Sequence, residues 1–311
     1  GLLTTLRAFL RFADGAEVTV EASPSSVDAA KLTAWRAAGA NRLSFGVQTL
    51  SDRLGGVLGL PQRSGEALDA LRLARGAGFD NVDIDLLYNI PTQSMEEWRD
   101  TLDRALEAGP EQMSLYPLNP APHSLMARMI EMGQLPPPGP VTLEVDMYWA
   151  AKSLLESAGY VQYAPTNFTR LPPERRHGVL SRHCAEGGLL ALGACAHGRL
   201  NNYRYRNLKD VGDYLHALAA GRLPVGSGQS LSRGESLSAH FTAAIRVGVV
   251  DIRQFRERFG LAPAEAFPDS LDRCIQKGLI RLAEGGLSLT EEGRLWWKGV
   301  QSEFRSDPPA G

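Results

Sequence analysis

Asn81-Val82-Asp83-Ile84-Asp85-Leu86-Leu87-Tyr88 is the stretch on which the reading of the fold turns. Apolar residues alternate with two aspartates, and a period of two gives a strand with one apolar face and one polar face. Helical text flanks it on both sides. Ser64 to Gly76 precedes it, and Ser94 with Glu97 three residues on opens, as a capping box, a helix that runs to Gly109. The unit repeats outward. Glu17-Val18-Thr19-Val20-Glu21-Ala22 is a first strand stopped by Ser23-Pro24, and Val27, Ala30, Leu32 and Trp35 mark a helix capped by Ser25 or Ser26 and ended by Gly39. Arg42 to Gln48 is a second strand, and Gln112-Met113-Ser114-Leu115-Tyr116 a fourth. Strands separated by helices of roughly ten to fifteen residues predict βα units and a parallel sheet, curled into a barrel or laid flat.

The rhythm changes after Pro136-Pro137-Pro138-Gly139-Pro140, a stiff linker. A long helix over Leu143 to Ala158 follows, then short β pieces near Tyr160 and Ala191. From about Ser230 the text is helical again: His240 to Val249, Ile252 to Phe259 and Leu271 to Lys277, with a hairpin over Gly278 to Thr290. Helices followed by a hairpin form the winged-helix pattern. Arg273 and Lys277 sit beside Asp269, Asp272 and Glu284, so the basic stripe of a nucleic-acid contact is absent. The expected division is a barrel with its extension over 1–228 and a small winged-helix-like α+β domain over 229–311, with a disordered tail from Ser306.

A formal charge of −2 gives no electrostatic reason to expect nucleic acid or an anionic membrane as partner. No apolar run approaches the roughly 20 residues of a membrane span. Gly1-Leu2-Leu3-Thr4-Thr5-Leu6 lacks the basic region and cleavage site of a signal peptide. It also enters in mid-helix without a Met, as a fragment would. Cys184, Cys195 and Cys274 are odd in number with no C-x-x-C spacing, which points to a reducing, cytoplasmic setting. His177, His183, Cys184, Cys195 and His197 match no structural zinc spacing, so no metal ligand is expected among them.

In parallel β/α folds the ligand site gathers at the carboxyl ends of the strands. Glu21, Gln48 and Asp85 stand there on three successive strands, and Gly46 would leave room beside Gln48. One such acid or amide can satisfy nearby backbone N–H groups; three together suit a zwitterionic, ribose-bearing ligand, since a carboxylate accepts from an ammonium or from paired hydroxyls. Further on, His197 follows a turn of small residues, where a flat aromatic ligand could stack with Tyr203 and Tyr205. The mixed basic and aromatic run Asn201 to Asn207 suits carboxylates better than nucleic acid.

At these residues the chain resembles a known family, the oxygen-independent coproporphyrinogen III oxidase group of radical S-adenosylmethionine proteins (HemN/HemW-like). Glu17 to Pro24 resembles its E-V-T-x-E-x-x-P strand, and Gly39 to Gln48 its G-x-N-R-x-S-x-G-V-Q. Asn81 to Ser94 resembles D-L-x-Y-G-L-P-x-Q-T/S, with Asn89 in place of a usual Gly. Ser114-Leu115-Tyr116 matches the fourth strand, and Gly193-Ala194-Cys195-Ala196-His197 a G-x-G-A-H turn. Leu60 stands where the family usually has the Arg of L-G-R, with Arg63 nearby as a substitute.

The resemblance implies a partial (β/α) barrel missing its first strands, because the family's C-x-x-x-C-x-x-C loop and G-G-G-T-P strand end would precede Gly1. It implies S-adenosylmethionine and a [4Fe–4S] cluster as cofactors, with Glu21, Gln48, Asp85 and Asn119 as S-adenosylmethionine contacts; the cluster cysteines are absent from this sequence. It implies an enzyme that generates a 5′-deoxyadenosyl radical and acts on a tetrapyrrole or similar flat substrate by oxidative decarboxylation or methyl transfer, with a reductant such as flavodoxin or ferredoxin. Other branches leave two alternatives, a haem-binding chaperone or a catalytically inactive fragment. No residue is singled out as catalytic.

Overall fold

The computed structural model describes residues 1–177, 188–283 and 285–306. By its contacts the chain divides into two compact units, Gly1–Arg176 and His177–Gly311. The boundary expected from sequence at 228/229 falls inside the second unit, within the strand Val225–Ser230. His183, Cys184, Glu284 and the tail from Asp307 lie outside the described residues.

Six described strands of the first unit make one sheet in the order β1-β2-β3-β4-β6-β5. These are β1 (Thr19–Ala22), β2 (Arg42–Gln48), β3 (Val82–Tyr88), β4 (Gln112–Pro117), β5 (Val161–Ala164) and β6 (Asn167–Thr169). The first four run parallel, as βα repetition requires, whereas β6 joins β4 antiparallel and β5 folds back on it. The intervening helices are α1 (Leu2–Phe9), α2 (Ala29–Ala38), α3 (Asp52–Leu58), α4 (Ser64–Gly76), α5 (Met95–Ala108), α6 (Leu125–Glu131) and α7 (Val141–Ser157). The cap of α2 differs from expectation. Pro24–Ser26 forms a 3-10 turn, and Asp28, nearer the helix, accepts the N–H of Lys31 at 2.8 Å. The box at α5 forms as the spacing predicts: Ser94 Oγ accepts from Glu97 N at 3.1 Å, and Glu97 Oε2 accepts from Ser94 N at 3.0 Å.

The alternation in each strand sorts the sheet into two faces. Leu43, Phe45, Val47, Val82, Ile84, Leu86, Met113 and Phe168 are buried, as are Leu32, Leu54, Leu71, Trp98, Leu102 and Leu155 on the helices. Trp98 is fully enclosed, and its indole N–H donates to the Met147 carbonyl at 2.9 Å, so the bulkiest side chain of α5 leaves no orphaned donor. The opposite face is polar and also buried. Arg42 and Asp83, each about 2% exposed, form an ion pair across β2 and β3. Ser114 Oγ donates to Asp83 at 3.1 Å, and Asn167 Nδ2 donates to Ser114 Oγ at 2.8 Å.

In the second unit a three-stranded sheet, β7 (His197–Leu200), β8 (Tyr203–Asn207) and β9 (Val225–Ser230), precedes a separate helical body. In that body β10 (Val249–Asp251), β11 (Ile280–Ala283) and β12 (Gly286–Leu289) pair in the order β10-β12-β11 beside the helices Arg233–Val247, Ile252–Phe259 and Pro268–Gln276. Phe241, Phe255, Phe267 and Phe304 form its core. Helices closed by a small antiparallel sheet are the winged-helix-like arrangement read from the sequence.

A buried charge that loses its partner is costly, so Arg42→Met is expected to destabilise the chain by about 3–5 kcal/mol in urea unfolding, while the double change Arg42→Met with Asp83→Leu recovers most of that loss. Equal stabilities for the two variants would show that the pair does not carry this face.

Candidate functional site

Parallel strands deliver their carboxyl ends to one edge, and register decides which side chains meet there. Glu21 stands opposite Ser44, Gly46 opposite Asp85, and Asp85 opposite Ser114. Glu21, Ser44, Gly46, Gln48 and Asp85 line one depression of about 410 Å³, with Leu60, Pro61 and Gln62 from the loop before α4 on its other side. Three of the four residues expected from sequence therefore meet. Asn119 is not among the lining residues: it is exposed, and its Nδ2 donates to the Pro117 carbonyl at 3.2 Å.

Gln48 reaches the depression through a local distortion. The pairing of β2 with β3 steps from Gly46↔Asp85 to Gln48↔Leu86, leaving Val47 as an extra residue, a bulge that re-aims the side chain after it. The N–H of Thr49 donates to the Val47 carbonyl at 2.8 Å and closes a three-residue turn in which Gln48 has φ +68°. A non-glycine residue held there costs on the order of 1–3 kcal/mol and persists where the surroundings impose it. Gly46 leaves room for the Gln48 side chain: a Cβ on it would lie 2.9 Å from Gln48 Nε2. Gln62, itself buried, donates to the Gly46 carbonyl at 3.4 Å, and its Oε1 has no hydrogen-bond partner.

The depression is electrostatically graded. Burial raises the Asp85 carboxyl to about 7, helped by the charges of Asp83 and Glu21 and opposed by Arg42 and a hydrogen bond from Ser114. Burial, with the Asp85 charge next in size, also raises the Tyr116 phenol. Asp85 thus sits half ionised near neutrality, where a cation arriving in the depression would draw it to the carboxylate form.

Two departures from the family pattern have structural accounts. Asn89 adopts φ +57°, a conformation that Asn tolerates better than most residues, so it can stand in the usual glycine position. Where the family carries Arg, Leu60 and Gln62 line the depression, while Arg63 is exposed and its backbone N–H is held by Glu66 at 2.7 Å in the cap of α4. Farther along the chain, His197 pairs opposite Arg206 and Gly198 opposite Tyr205, so the tyrosine rings and His197 occupy opposite faces of the sheet rather than one stacking site. Arg42, Asp83, Ser114 and Gln62 are the contributors that sequence reading did not assign. The signal for the first three was the polar half of each strand's alternation, Arg42/Ser44, Asp83/Asp85 and Gln112/Ser114.

A family model described as the radical SAM superfamily matches residues 3–105, and one described as the HemN C-terminal domain matches residues 247–296. The heme chaperone HemW of Bacillus subtilis is 30% identical over 292 residues, covering 94% of this chain and 76% of that protein. The chain belongs to the HemN/HemW-like radical SAM family. Anaerobilin synthase of Escherichia coli, another relative, is 28% identical over 301 residues, 96% of this chain and 66% of that protein. The solved structure of coproporphyrinogen III oxidase (HemN) from Escherichia coli, a radical SAM enzyme, superposes with a TM-score of 0.83 at 25% identity, covering 97% of this chain and 73% of that one. The radical SAM fold with its C-terminal domain is therefore the architecture of this HemN/HemW-like chain.

Folding raises the Asp85 carboxyl from 3.8 to about 7, so the folded state holds the proton more tightly than the unfolded chain, and this group makes stability fall as pH rises across that interval. Thermal melting of the wild type is expected to decline more between pH 4 and pH 8 than melting of Asp85→Asn. Parallel profiles would show that the site carboxyl is not desolvated.

Proposed function

We propose that the depression at the ends of β1–β3 takes S-adenosylmethionine, and that the chain serves a radical SAM reaction on a tetrapyrrole or similarly flat substrate. The observation that carries this reading is the convergence of Glu21, Gln48 and Asp85 on one cavity. Two features support the ligand. Gln62 Oε1 is a buried acceptor in search of a donor such as an ammonium or a hydroxyl. Gly46 leaves the space in which the Gln48 amide rests at the wall of the depression. Glu21 and Asp85 supply acceptors for the ammonium and the ribose hydroxyls and a negative field for the sulfonium; Gln48 can donate or accept.

A [4Fe–4S] cluster would supply the electron that cleaves the sulfonium. Among the described residues no group of three His, Cys, Asp or Glu side chains could hold a metal, and the described cysteines, Cys195 and Cys274, are far apart in sequence. The described residues do not fit the cluster. What this chain's own residues do is bind the sulfonium, orient it over the polar face, and adjust the charge beside it through the proton on Asp85.

Names of relatives favour a tetrapyrrole as the substrate class, since they denote a heme chaperone, an anaerobilin synthase and a coproporphyrinogen III oxidase. A second reading, a chaperone that holds haem without transforming it, is favoured by the identity to HemW over 94% of the chain.

Titration calorimetry with S-adenosylmethionine is expected to show saturable binding that weakens about ten-fold or more in Glu21→Gln and Asp85→Asn, in keeping with the loss of a charged hydrogen bond. Gly46→Ala, which must displace the Gln48 amide, is expected to weaken binding while leaving the fold intact. Binding tightens as pH rises through about 7, because the cationic ligand selects the ionised Asp85, and Asp85→Asn flattens that slope. Absence of binding, or binding indifferent to all three changes, would refute the reading. Haem titrations separate the two functions: a Soret shift without S-adenosylmethionine turnover in the cluster-bearing protein selects the chaperone.

A further inference from the structure

The depression at the ends of β1–β3 is lined by groups of one electrical sign. Among its lining residues Glu21 and Asp85 alone ionise, and both ionise to anions. The nearest cations along the chain are engaged elsewhere. Arg42, one layer below on β2, is 1% exposed and paired with Asp83. Arg63, the residue after Gln62, is exposed, lies outside the lining and stands near Asp52.

Gln62 adds an acceptor to the same wall. Its side chain is buried, and its Nε2 donates to the Gly46 carbonyl at 3.4 Å. A carbonyl oxygen only accepts, so this contact sets the amide nitrogen toward Gly46 and leaves the amide oxygen as the open end. That oxygen, Oε1, has no hydrogen-bond partner. A buried acceptor without a donor is costly, and a bound N–H or O–H removes the cost. Two carboxylates and an orphaned oxygen around one cavity attract a cation that carries hydrogen-bond donors. A carboxylate fares differently there. Gln48, Ser23 and Ser44 offer it neutral donors, but these do not offset the repulsion that two fixed anions exert on a third.

We propose that this depression selects its occupant by positive charge, taking nucleoside sulfonium amines as a class and gaining nothing from a carboxylate on them. S-adenosylmethionine stripped of its carboxylate therefore binds more tightly than S-adenosylmethionine itself. The inference rests on the reading of the site given above and names the part of the ligand that the site recognises. Glu21, Asp85 and Gln62 Oε1 receive the sulfonium and the ammonium, while the carboxylate of S-adenosylmethionine turns away from the two acids. Leu60, half-buried on the facing wall, is the position at which a cation would reverse the choice.

The test is titration calorimetry on the full chain at pH 8, where Asp85 is ionised. Four ligands are compared: S-adenosylmethionine, its decarboxylated amine, S-adenosylhomocysteine and methylthioadenosine. The amine is expected to bind about five-fold more tightly than S-adenosylmethionine, as for unit charges about 8 Å apart in a partly screened site. The two thioethers, which lack the sulfonium charge, are expected to bind more weakly than either. Gln62→Leu is expected to weaken both sulfonium ligands about five-fold, the loss of one hydrogen bond. Leu60→Arg, which leaves the layer around Arg42 untouched, is expected to invert the order and favour S-adenosylmethionine. Unchanged melting temperatures show that both variants fold, and the comparison of ligands on the wild type needs neither. Tighter binding of S-adenosylmethionine than of the amine overturns this inference alone. So does an amine no tighter than methylthioadenosine, or an order that Leu60→Arg leaves unchanged. Binding of none of the four overturns the cofactor reading, and this inference with it.

Discussion

Arg42 and Asp83 hold opposite charges in contact where water does not reach, and the first unit is built around that contact. A parallel sheet with helices on one face ordinarily buries its strands in apolar text on both sides. Here the inner face carries Arg42, Asp83, Gln112, Ser114, Asn167 and Thr169, all buried. Burying these groups would be prohibitive unless each found a partner, and the guanidinium–carboxylate pair is the anchor from which the hydrogen bonds through Ser114 to Asn167 extend.

The anchor also sets the chemistry one layer above. Asp85 lies two residues along β3 from Asp83, on the same face, so the charge below it resists its ionisation while Arg42 moderates that resistance. Had Asp83 lacked its arginine, two carboxylates would press on one another in a desolvated strip. The sheet instead offers a carboxyl poised near neutrality at the rim and a settled ion pair beneath. The antiparallel return of β6 serves the same layer, since it brings Asn167 beside Ser114 where another parallel strand would have needed a further helix.

Much of this was legible in the residues. Period-two alternation located β1 to β4 within about two residues, and the rule that sites gather at strand ends picked out Glu21, Gln48 and Asp85. What escaped was decided by three-dimensional neighbours. Arg42 reads as one more charge until pairing places it against Asp83. Gln62 is a loop residue until the turn after Leu60 folds it over Gly46. The cap of α2 passed from the serines to Asp28 because Pro24 favours a tight turn of its own, a choice between adjacent short polar residues that propensity alone does not resolve. Asn119 was carried by resemblance alone, and no periodicity spoke for it.

The separation of the sheet into a packed apolar face and a polar one that lines the depression has an evolutionary consequence. Outside the layer around Arg42, residues that secure the helices and residues that line the depression occupy different positions, so exchange on one side leaves the other undisturbed. A lineage can retune what it holds at the rim without re-engineering its interior, and proteins of one architecture can drift toward delivering a cargo, dismantling it or helping to make it. The inner layer around Arg42 would change last, because it belongs to both tasks.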